Sequence, residues 1–495
     1  AANGGLGISI DLDLVPSREK NMSAYHYLLS ESQERMLLVV KEENIDDLIK
    51  EFQKWGLYAC VVGKVIKEKK VIISHNKEVV AQIPTSALSD KTPINIHEII
   101  KNTPSNLLKK WEWKEDSLPN IENKRIKSLK SNKLFSWNEI ILELLSNPSI
   151  ASKKWVFQQY DYQVQLNTVF KPGQSDAAVI RLRSQHEKSN ENDIFSAIAI
   201  SVDCNDRWVY LDPFRGSIAA VAESARNVSC VGALPIAITN NLNFPSPETD
   251  IGYWQLASAC DGISKACKFL ETPVTGGNVS LYNESKNDAG VITPIRPTPV
   301  IGMVGIINDS DKAVSSGWKN IDDEIWMIGS ISSETTLAAT SYLEYFHGKV
   351  EGRPPKLDLN DEKTCQSFVR SGILSDLIVS CHDVNDGGLA TALSESCILS
   401  LKGAEITINE TQREDKLLFA EGGSRIVFSI NQDKKHLWSD FVKNQSINFS
   451  KTVYLKKIGK VCDEKLEIKY ADNLICNLKV TALADKFYNG ITKNF

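Results

Sequence analysis

LSESQERMLLVV, residues 29–40, returns in altered form near the other end of the chain as LFAEGGSRIVFSI, residues 418–430. In this comparison Glu31 corresponds to Glu421. In each copy a polar loop leads into a run of apolar and β-branched residues, which predicts a strand. The sequence therefore predicts the same loop and the same strand twice in one chain.

Further matches flank both copies in the same order. GLGISI begins at Gly5 and resembles GAEITI, which begins at Gly403, at an offset of 403 − 5 = 398 residues. VVGKV and KIGKV contain Gly63 and Gly459, at an offset of 459 − 63 = 396 residues. Each copy also has an amphipathic helix pattern between its loop and its G-K-V. Matches in constant order at a nearly constant offset indicate an internal duplication.

The composition is that of a globular enzyme. The chain has 495 residues, 42% of them hydrophobic, and a net charge of −5. That length suits about three folding units. A nucleic-acid scaffold would need a basic surface, so no nucleic-acid partner is expected. The longest apolar run, VIGMVGII at residues 300–307, is too short for a membrane span. Ten cysteines without a C-x-x-C pair or zinc spacing indicate free thiols, which predicts a cytoplasmic location.

The fold class predicted is α+β. Residues 160–310 alternate predicted strands and helices and contain most of the motifs. Several of these strands alternate polar and apolar residues, which is typical of a mixed or antiparallel sheet with helices on one face. Residues 90–150 are rich in Lys and Asn and are interrupted by prolines. They predict a connector with short helices rather than a core.

The sharpest candidate site is TGGNVSLY, residues 275–282. Gly276 and Gly277 permit a positive φ and a close approach of backbone N–H groups to a phosphate. Asn278 offers an amide oxygen that suits Mg²⁺, and Ser280 offers a hydroxyl donor. A Gly-Gly turn explains the same residues without any ligand.

ITNNLNFP, residues 238–245, places Asn240 and Asn241 directly after a predicted buried strand. Polar groups at strand ends are often binding groups, because the sheet holds them rigidly. The two asparagines equally fit a turn that precedes Pro245. The sequence contains no P-loop, dinucleotide, zinc-protease or nucleophile-elbow motif, so a nucleotide site here would belong to another class.

Two further motifs place acids and glycines before a helix. DPFRGS begins at Asp212 and includes Arg215. It suits an anion or Mg²⁺, but Asp212 as a cap and Arg215 as a solvated side chain explain it equally. HDVNDGGLA begins at His382, which is either an acid/base or a structural residue. Asn385 or Asp386 as the helix N-cap explains much of this motif.

Longer runs carry a resemblance to one family. They are LSESQERMLLVV (29–40), SIASKKWVFQQYDYQVQLNTV (149–169), DPFRGSIAAVAESARNVSCVGALPIAIT (212–239), TGGNVSLYNE (275–284) and HDVNDGGLA (382–390). Together they resemble the synthetase subunit of phosphoribosylformylglycinamidine synthase, over essentially the whole chain. The resemblance implies a tandem duplicated two-domain unit similar to aminoimidazole ribonucleotide synthetase, with mixed or antiparallel sheets and helices on one face.

The resemblance also implies a layout. A strand, a helix and HDVNDGGLA precede Gly403, and nothing corresponding precedes Gly5. An N-terminally truncated chain is therefore expected. The four expected parts are 1–88 as the remaining end of the first unit's C-terminal domain, 89–158 as a connector, 159–312 as the second unit's N-terminal domain and 313–495 as its C-terminal domain.

The family reaction uses ATP and Mg²⁺ to activate the amide oxygen of formylglycinamide ribonucleotide, and ammonia then displaces phosphate to give the amidine. In the family a separate glutaminase subunit supplies the ammonia, and a small bridging subunit joins the two. The resemblance therefore implies ATP and Mg²⁺ as cofactors and these two subunits as partners.

The resemblance assigns roles to particular residues. It implies that the substrate contacts are Glu31, Ser32, Gln33 and Ser280. Asn240 and Gly277 match ATP contacts, and Asn278 matches a Mg²⁺ ligand. Many family members carry Asp where this chain has Asn240, and Gly where it has Pro245, so Asn240 keeps an acceptor oxygen but lacks the charge. The catalytic histidines of the family match no residue here, so no catalytic residue is assigned.

Two other functions stay open. Another ATP-using synthetase of the same superfamily, such as those for aminoimidazole ribonucleotide, selenophosphate or thiamine phosphate, would show the same general fold. The duplication and TGGNVSLYNE argue against it, because those relatives use one unit per chain. The second alternative is a non-catalytic assembly piece, which nucleotide binding would discriminate.

Overall fold

The structure is a computed structural model that describes residues 2–31, 34–94, 96–100, 102–183, 194–330, 335–446, 449 and 452–494. The chain divides into two units, residues 1–98 and residues 99–495. No helix in these described ranges is both long and apolar enough to cross a membrane.

The first unit is a four-stranded sheet with two helices. The strand order is β2-β1-β3-β4, in which β1 pairs parallel to β3 and the other pairs are antiparallel. Its elements are β1 (Gly7–Asp11), α1 (Ala24–Leu29), α2 (Ile45–Lys54), β2 (Gly63–Ile66), β3 (Lys70–His75) and β4 (Glu78–Pro84).

The second unit begins with a short segment and a five-stranded sheet. The opening elements are α3 (Ser105–Trp111), β5 (Arg125–Lys127), β6 (Leu134–Ser136), α4 (Trp137–Leu145) and α5 (Lys154–Phe157). The sheet and its helices follow: β7 (Ala178–Arg181), β8 (Ala197–Asp203), α6 (Asp206–Leu211), α7 (Pro213–Cys230), β9 (Leu234–Asn243), α8 (Asp250–Leu270), β10 (Val274–Ser280), β11 (Glu284–Lys286), β12 (Ile292–Pro294) and β13 (Thr298–Ile307).

A seven-stranded sheet forms the rest of the second unit, in the order β16-β19-β14-β20-β17-β21-β22. Its elements are β14 (Glu324–Ser330), β15 (Thr335–Thr336), α9 (Ser341–Tyr345), α10 (Leu359–Leu374), β16 (Ile378–Asp383), α11 (Gly388–Ser400), β17 (Gly403–Ile408), α12 (Glu414–Phe419), β18 (Glu421–Gly422), β19 (Ile426–Ile430), α13 (Lys435–Ser446), β20 (Val453–Cys462), β21 (Lys465–Tyr470), β22 (Asn473–Lys479) and α14 (Val480–Asn489).

The last four strands of this sheet repeat the first unit strand for strand. The order β20-β17-β21-β22 matches β2-β1-β3-β4, with the same parallel and antiparallel pairs. Gly63 lies opposite Ile10 in the first copy, and Gly459 lies opposite Ile406 in the second. The internal duplication is confirmed.

One detail of the predicted repeat is wrong by two residues. Gly7 lies opposite Ile66, and Gly403 lies opposite Cys462, so the equivalent of Gly403 is Gly7 and the offset is 403 − 7 = 396. The sequence comparison paired Gly403 with Gly5. A shift of two residues keeps every side chain on the same face of a strand, so the apolar pattern alone does not distinguish the two alignments.

The described residues that flank the polar loop are arranged alike in both copies. A helix ends directly before it, α1 in the first copy and α12 in the second. The guanidinium of Arg35 donates to the carbonyl oxygen of Ser30, five residues earlier. Arg425 donates in the same way to the carbonyl oxygen of Ala420, over 2.5 Å and five residues. The same contact therefore joins the described residues on either side of the loop in both copies.

The strand that was predicted to follow the polar loop is present only in the second copy. Residues 36–40 have no strand, and Met36 and Val39 are exposed. The equivalent β19 is fully buried because β14 and β16 pair with it on both sides. Within the described residues of the first unit no strand takes the place of these two partners. A strand needs neighbours to satisfy its backbone groups, so the apolar pattern alone was not sufficient.

The five-stranded sheet, in the order β10-β9-β13-β8-β7, is mixed, as predicted. β10 and β9 are parallel, and the remaining pairs are antiparallel. Burial alternates along β8 and β13, because one face of the sheet packs into a core with α7 and α8. The other face is partly exposed. The prediction of helices on one face is confirmed.

The segment described from sequence as a connector contributes to a core. α4 begins at a capping box in which Ser136 and Glu139 exchange hydrogen bonds with each other's backbone N–H groups. Trp137, Ile140 and Leu144 are buried and pack with residues of the seven-stranded sheet. The apolar spacing of this short helix predicted the helix, and its depth of burial depends on the sheet it packs against.

Gly63 and Gly459 occupy equivalent positions, and the stability of each copy should depend on its own glycine. A Cβ at Gly63 would lie 2.0 Å from the carbonyl oxygen of Ser9, and a Cβ at Gly459 would lie 2.0 Å from that of Glu405. We expect Gly63→Ala and Gly459→Ala each to destabilise its own unit by about 1–3 kcal/mol, because backbone atoms must move apart. Thermal unfolding measures this effect.

The matched controls for these variants are Gly4→Ala and Gly276→Ala, whose Cβ atoms would meet nothing within 4 Å. Both controls should unfold at the wild-type temperature. A Gly459→Ala protein as stable as its control would contradict the register given for β17 and β20.

Candidate functional site

The candidate site lies on β9 and β10, at one edge of the five-stranded sheet. The parallel register places Gly277 opposite Asn240 and Asn278 opposite Asn241. Ser280, at the end of β10, lies opposite Asn243. The structure thus places four residues singled out from sequence on this strand pair. Asn240 and Gly277 share one face of the sheet, and Asn278 and Ser280 share the other.

The structure corrects two details of this prediction. Asn240 and Asn241 lie inside β9, which continues to Asn243, and not in a loop after it. Gly276 and Gly277 lie inside the extended strand β10 and neither has a positive φ, so the motif is not a Gly-Gly turn. β9 extends this far because β10 and β13 both pair with its polar end.

Gly277 is required by the side chain on the neighbouring strand. A Cβ at Gly277 would lie 1.9 Å from Oδ1 of Asn240 and 2.8 Å from its carbonyl oxygen. Asn240 therefore lies against the bare backbone of β10. Gly276 is different, because a Cβ there would meet nothing within 4 Å. The exposed side of β10 consequently leaves backbone accessible to a ligand.

Asn278 is exposed and makes two hydrogen bonds through one atom. Its Nδ2 donates to Oδ1 of Asn241 at 3.2 Å and to Oγ of Ser280 at 3.1 Å. Within the described residues its amide oxygen carries no hydrogen bond. A free amide oxygen fits Mg²⁺ that is also held by nucleotide phosphates and water, which is how proteins usually bind this ion. No protein-only cluster of three His, Cys, Asp or Glu ligands occurs in the described part of the chain.

The loops that follow the two strands are joined by one side chain. Nδ2 of Asn283 donates to the carbonyl oxygens of Phe244, at 3.1 Å, and Ser280, at 2.7 Å. Phe244 is fully buried, and Pro245 after it is buried as well. The position of Ser280 is therefore held by a buried anchor rather than by a free loop end.

The predicted substrate loop lies in the first unit. Glu31 is exposed and follows the end of α1. Ser32 and Gln33 lie outside the described residues. The structure therefore places one of the three loop residues.

The equivalent loop of the second copy has a different environment. Glu421 is fully buried, and its Oε1 accepts hydrogen bonds from the backbone N–H groups of Ser341, at 2.8 Å, and Gly387, at 3.0 Å. Burial raises the pKa of Glu421 to about 7, against the opposing charge of Arg207. The sequence also differs, since Gly422 and Gly423 replace Ser and Gln. This loop is part of the protein's own packing.

HDVNDGGLA forms a junction between the two sheets of the second unit. Nδ1 of His382 lies 2.6 Å from Oδ1 of Asp176, and Nε2 lies 3.1 Å from Oε2 of Glu395. The expected helix N-cap is wrong, because Gly387 with φ 78° precedes α11 rather than Asn385 or Asp386. Asp386 instead pairs with Arg207 at 2.6 Å. These contacts agree with a structural role for His382.

This junction also contains buried charged residues. The sequence patterns did not single them out. Arg226 of α7 is buried, and its guanidinium pairs with Asp383 and with Glu362, the latter at 2.8 Å. The signal was present in the sequence as an arginine on an otherwise apolar helix face, although its acidic partners lie more than 130 residues away.

Asp212 of DPFRGS serves as a cap. Its Oδ1 accepts a hydrogen bond from the backbone N–H of Arg215 at the start of α7, and Arg353 donates to its Oδ2 at 2.9 Å. The Arg215 side chain donates to the carbonyl oxygen of Pro354 at 2.7 Å, so it is not a free solvated group. Both polar groups of this motif are already used within the protein.

Comparisons with known proteins agree with this architecture. The sequence pattern described as "AIR synthase related protein, N-terminal domain" matches residues 174–307. The pattern described as "AIR synthase related protein, C-terminal domain" matches twice, at residues 1–76 and 320–447. The first C-terminal match overlaps the first copy of the repeat, and the second match overlaps the beginning of the second copy.

The curated relatives decide the family. The chain is 67% identical over its whole length to a protein of Prochlorococcus marinus (strain MIT 9301) named "Phosphoribosylformylglycinamidine synthase subunit PurL". A protein of the same name from strain NATL1A is 50% identical, again over the whole chain. The chain belongs to the PurL family of AIR synthase related proteins. It spans 64% and 62% of the lengths of these two relatives.

A solved PurL structure shares the fold. The structure titled "T. maritima PurL complexed with ATP" matches with a TM-score of 0.56 and 23% identity. The match covers 93% of this chain and 60% of that one. The tandem α+β architecture predicted from the PurL resemblance is therefore confirmed at the level of the fold.

Replacing Gly277 should disturb Asn240 in particular. We expect Gly277→Ala to cost about 1–3 kcal/mol of stability, because the new Cβ overlaps the Asn240 amide. The double variant Gly277→Ala/Asn240→Ala should recover part of this loss, since the side-chain overlap disappears while the contact with the backbone oxygen remains. Urea unfolding of the four proteins of this cycle measures the coupling, and strictly additive effects would contradict the close approach.

His382 should make the second unit more stable at neutral pH than at alkaline pH. Burial opposes its charge, but Asp176 and Glu395 outweigh burial and raise its pKa well above 6.5. The stabilisation is therefore complete below about pH 6.5, the unfolded value, and is lost as pH rises through the folded pKa. His382→Gln should cost about 3 kcal/mol at pH 6 and progressively less above pH 7.

Urea unfolding between pH 6 and pH 9 tests this expectation, with the exposed His436→Gln as the matched control. The control should follow the wild-type profile. A constant difference between His382→Gln and wild type across this range would show that the imidazole is not held charged.

Proposed function

We propose that this chain is part of an ATP-dependent carbon–nitrogen ligase of purine biosynthesis. The enzyme would convert formylglycinamide ribonucleotide and ammonia into formylglycinamidine ribonucleotide. The observation that carries the proposal is the 67% identity, over the whole chain, with a relative named as a subunit of that synthase. The register of β9 and β10 supports it, because the polar residues it gathers suit a nucleotide and its metal ion.

The proposal gives each candidate residue a role. The groups that contact substrate would be Glu31, Ser32, Gln33 and Ser280. Asn240 and Gly277 would contact ATP, and the amide oxygen of Asn278 would bind Mg²⁺. No catalytic residue is proposed within this chain, so the groups that complete the reaction would be supplied by the rest of the protein.

The reaction requires the protein to position the reacting groups rather than to form covalent bonds with them. The amide oxygen of the substrate must lie in line with the γ-phosphate, and fixed hydrogen-bond donors can hold it there. The backbone of Ser280 is held by Asn283, which donates to its carbonyl oxygen, and the Ser280 hydroxyl is therefore suited to this task. The absence of a side chain at Gly276, where a Cβ would meet nothing within 4 Å, lets a phosphate approach the strand. When bound, Mg²⁺ would neutralise the triphosphate charge.

Asn240 gives this site a weaker electrostatic field than an aspartate would. Its oxygen can accept a hydrogen bond but carries no charge, so it would not repel phosphates. We propose that Asn240 contacts a neutral part of the nucleotide or an ordered water rather than a second metal ion.

The partners and setting follow from the same proposal. Ammonia would come from glutamine through a glutaminase subunit, with a small bridging subunit between the two. Ten cysteines without a disulfide suit the cytoplasm. The domains would be the end of one C-terminal domain at 1–88, a connector at 89–158, an N-terminal domain at 159–312 and a second C-terminal domain at 313–495.

The decisive assay is Mg²⁺-dependent ADP release with formylglycinamide ribonucleotide and an ammonium salt. It is run on this chain alone and together with a polypeptide that supplies the remaining length of its relatives. We expect turnover in the mixture, and Asn278→Ala should lower it at least about 100-fold because a metal ligand is lost. The exposed Asn489→Ala is the matched control.

The other outcomes separate the alternatives. Turnover by this chain alone would mean that the reacting groups lie within it and that their assignment elsewhere is wrong. ADP release with a different substrate would indicate another synthetase of the superfamily. A folded mixture that binds no nucleotide would indicate an assembly piece.

A further inference from the structure

We propose that Asn241 is a positioning residue that turns the amide oxygen of Asn278 toward the metal ion. The inference rests on the proposed function, because it concerns the same site. Asn241 was singled out from sequence only as a polar residue at a predicted strand end. The structure gives it a specific contact.

The geometry comes from the strand pair itself. β9 and β10 are parallel, and the register sets Asn241 directly opposite Asn278. Both side chains are exposed, and Oδ1 of Asn241 accepts a hydrogen bond from Nδ2 of Asn278 at 3.2 Å. Opposed side chains on neighbouring strands are close enough for such contacts without any loop.

The orientation of an asparagine amide needs an external determinant. The amide carries an oxygen acceptor on one side and an NH₂ donor on the other, and rotation about its last bond is only weakly restricted. An NH₂ group facing a cation would repel it. The acceptors Asn241 Oδ1 and Ser280 Oγ take both protons of Asn278 Nδ2. This arrangement leaves the oxygen as the only group that Asn278 can offer to a ligand.

Asn241 is itself fixed on a rigid element. Its carbonyl oxygen accepts a hydrogen bond from Nδ2 of Asn243 at 3.1 Å, and the same nitrogen lies 3.3 Å from the carbonyl oxygen of Thr298 on β13. Its backbone also pairs with Val300 of β13. The backbone that carries this acceptor is therefore held between β10 and β13, which positions it more tightly than a loop would.

The size of the effect distinguishes positioning from ordinary stabilisation. A polar cross-strand pair at an exposed sheet edge contributes about 0.2–1 kcal/mol to stability. Groups that orient a metal ligand typically change metal affinity by about 10–100-fold. Loss of the Asn241 acceptor should therefore change metal affinity strongly and the unfolding temperature little.

The test measures metal dependence without turnover. The readout is the Mn²⁺ concentration that gives half-maximal binding of a fluorescent, non-hydrolysable ATP analogue to the chain completed by its remaining length. We expect Asn241→Ala to raise this concentration about 10–100-fold. Asn241→Asp should remain within a few-fold of wild type, because a carboxylate oxygen still accepts the hydrogen bond. Both variants should unfold near the wild-type temperature.

The controls separate this inference from the function on which it rests. If Asn278→Ala raises the Mn²⁺ requirement and Asn241→Ala does not, Asn241 has no positioning role and the metal assignment stands. If neither variant changes the requirement, the metal assignment at Asn278 is wrong and the inference falls with it. A loss in Asn241→Ala that Asn241→Asp fails to restore would also overturn the inference, because it would point to side-chain volume.

Discussion

The close approach of β10 to β9 at Gly277 is the constraint on which the candidate site depends. A Cβ at this position would lie 1.9 Å from the Asn240 amide oxygen, so only glycine lets Asn240 occupy its place. The parallel register then sets Asn278 against Asn241 and Ser280 against Asn243. A shift of one residue would turn each of these side chains to the other face of the sheet. The chemistry offered to a ligand therefore depends on the close approach and the register of these two strands.

The two copies share one scaffold because of the duplication, and their local sequences give the loop carboxylate a different environment in each copy. The strand order, the register and the arginine that holds the polar loop are common to both. Glu31 stays exposed in the first copy, whereas Glu421 is buried under backbone N–H donors in the second. The carboxylate of Glu31 is thus exposed, and the carboxylate of Glu421 stabilises the packing of the second copy. Conserved backbone geometry is thus compatible with divergent use of the same carboxylate.

The local sequence pattern predicted helices well, but it did not predict which strands would find neighbours to pair with. α7 and α8 have helical apolar spacing, and both were predicted as helices. Residues 36–40 have an equally clear strand pattern but form no strand, because strand formation depends on neighbours distant in sequence. For the candidate site, the sequence singled out Gly277 and Asn278, and it explained the glycine either by a bound phosphate or by a Gly-Gly turn. The actual reason is a side chain on another strand, which no local window contains.

The most direct test of the central claim is crystallography of the completed protein with Mn²⁺ and a non-hydrolysable ATP analogue. Anomalous scattering locates Mn²⁺ independently of the nucleotide. The account predicts a peak within about 2.5 Å of Oδ1 of Asn278, with the phosphates beside the open backbone of Gly276. An ordered nucleotide and metal bound elsewhere, with the Asn278 oxygen facing only solvent, would contradict it.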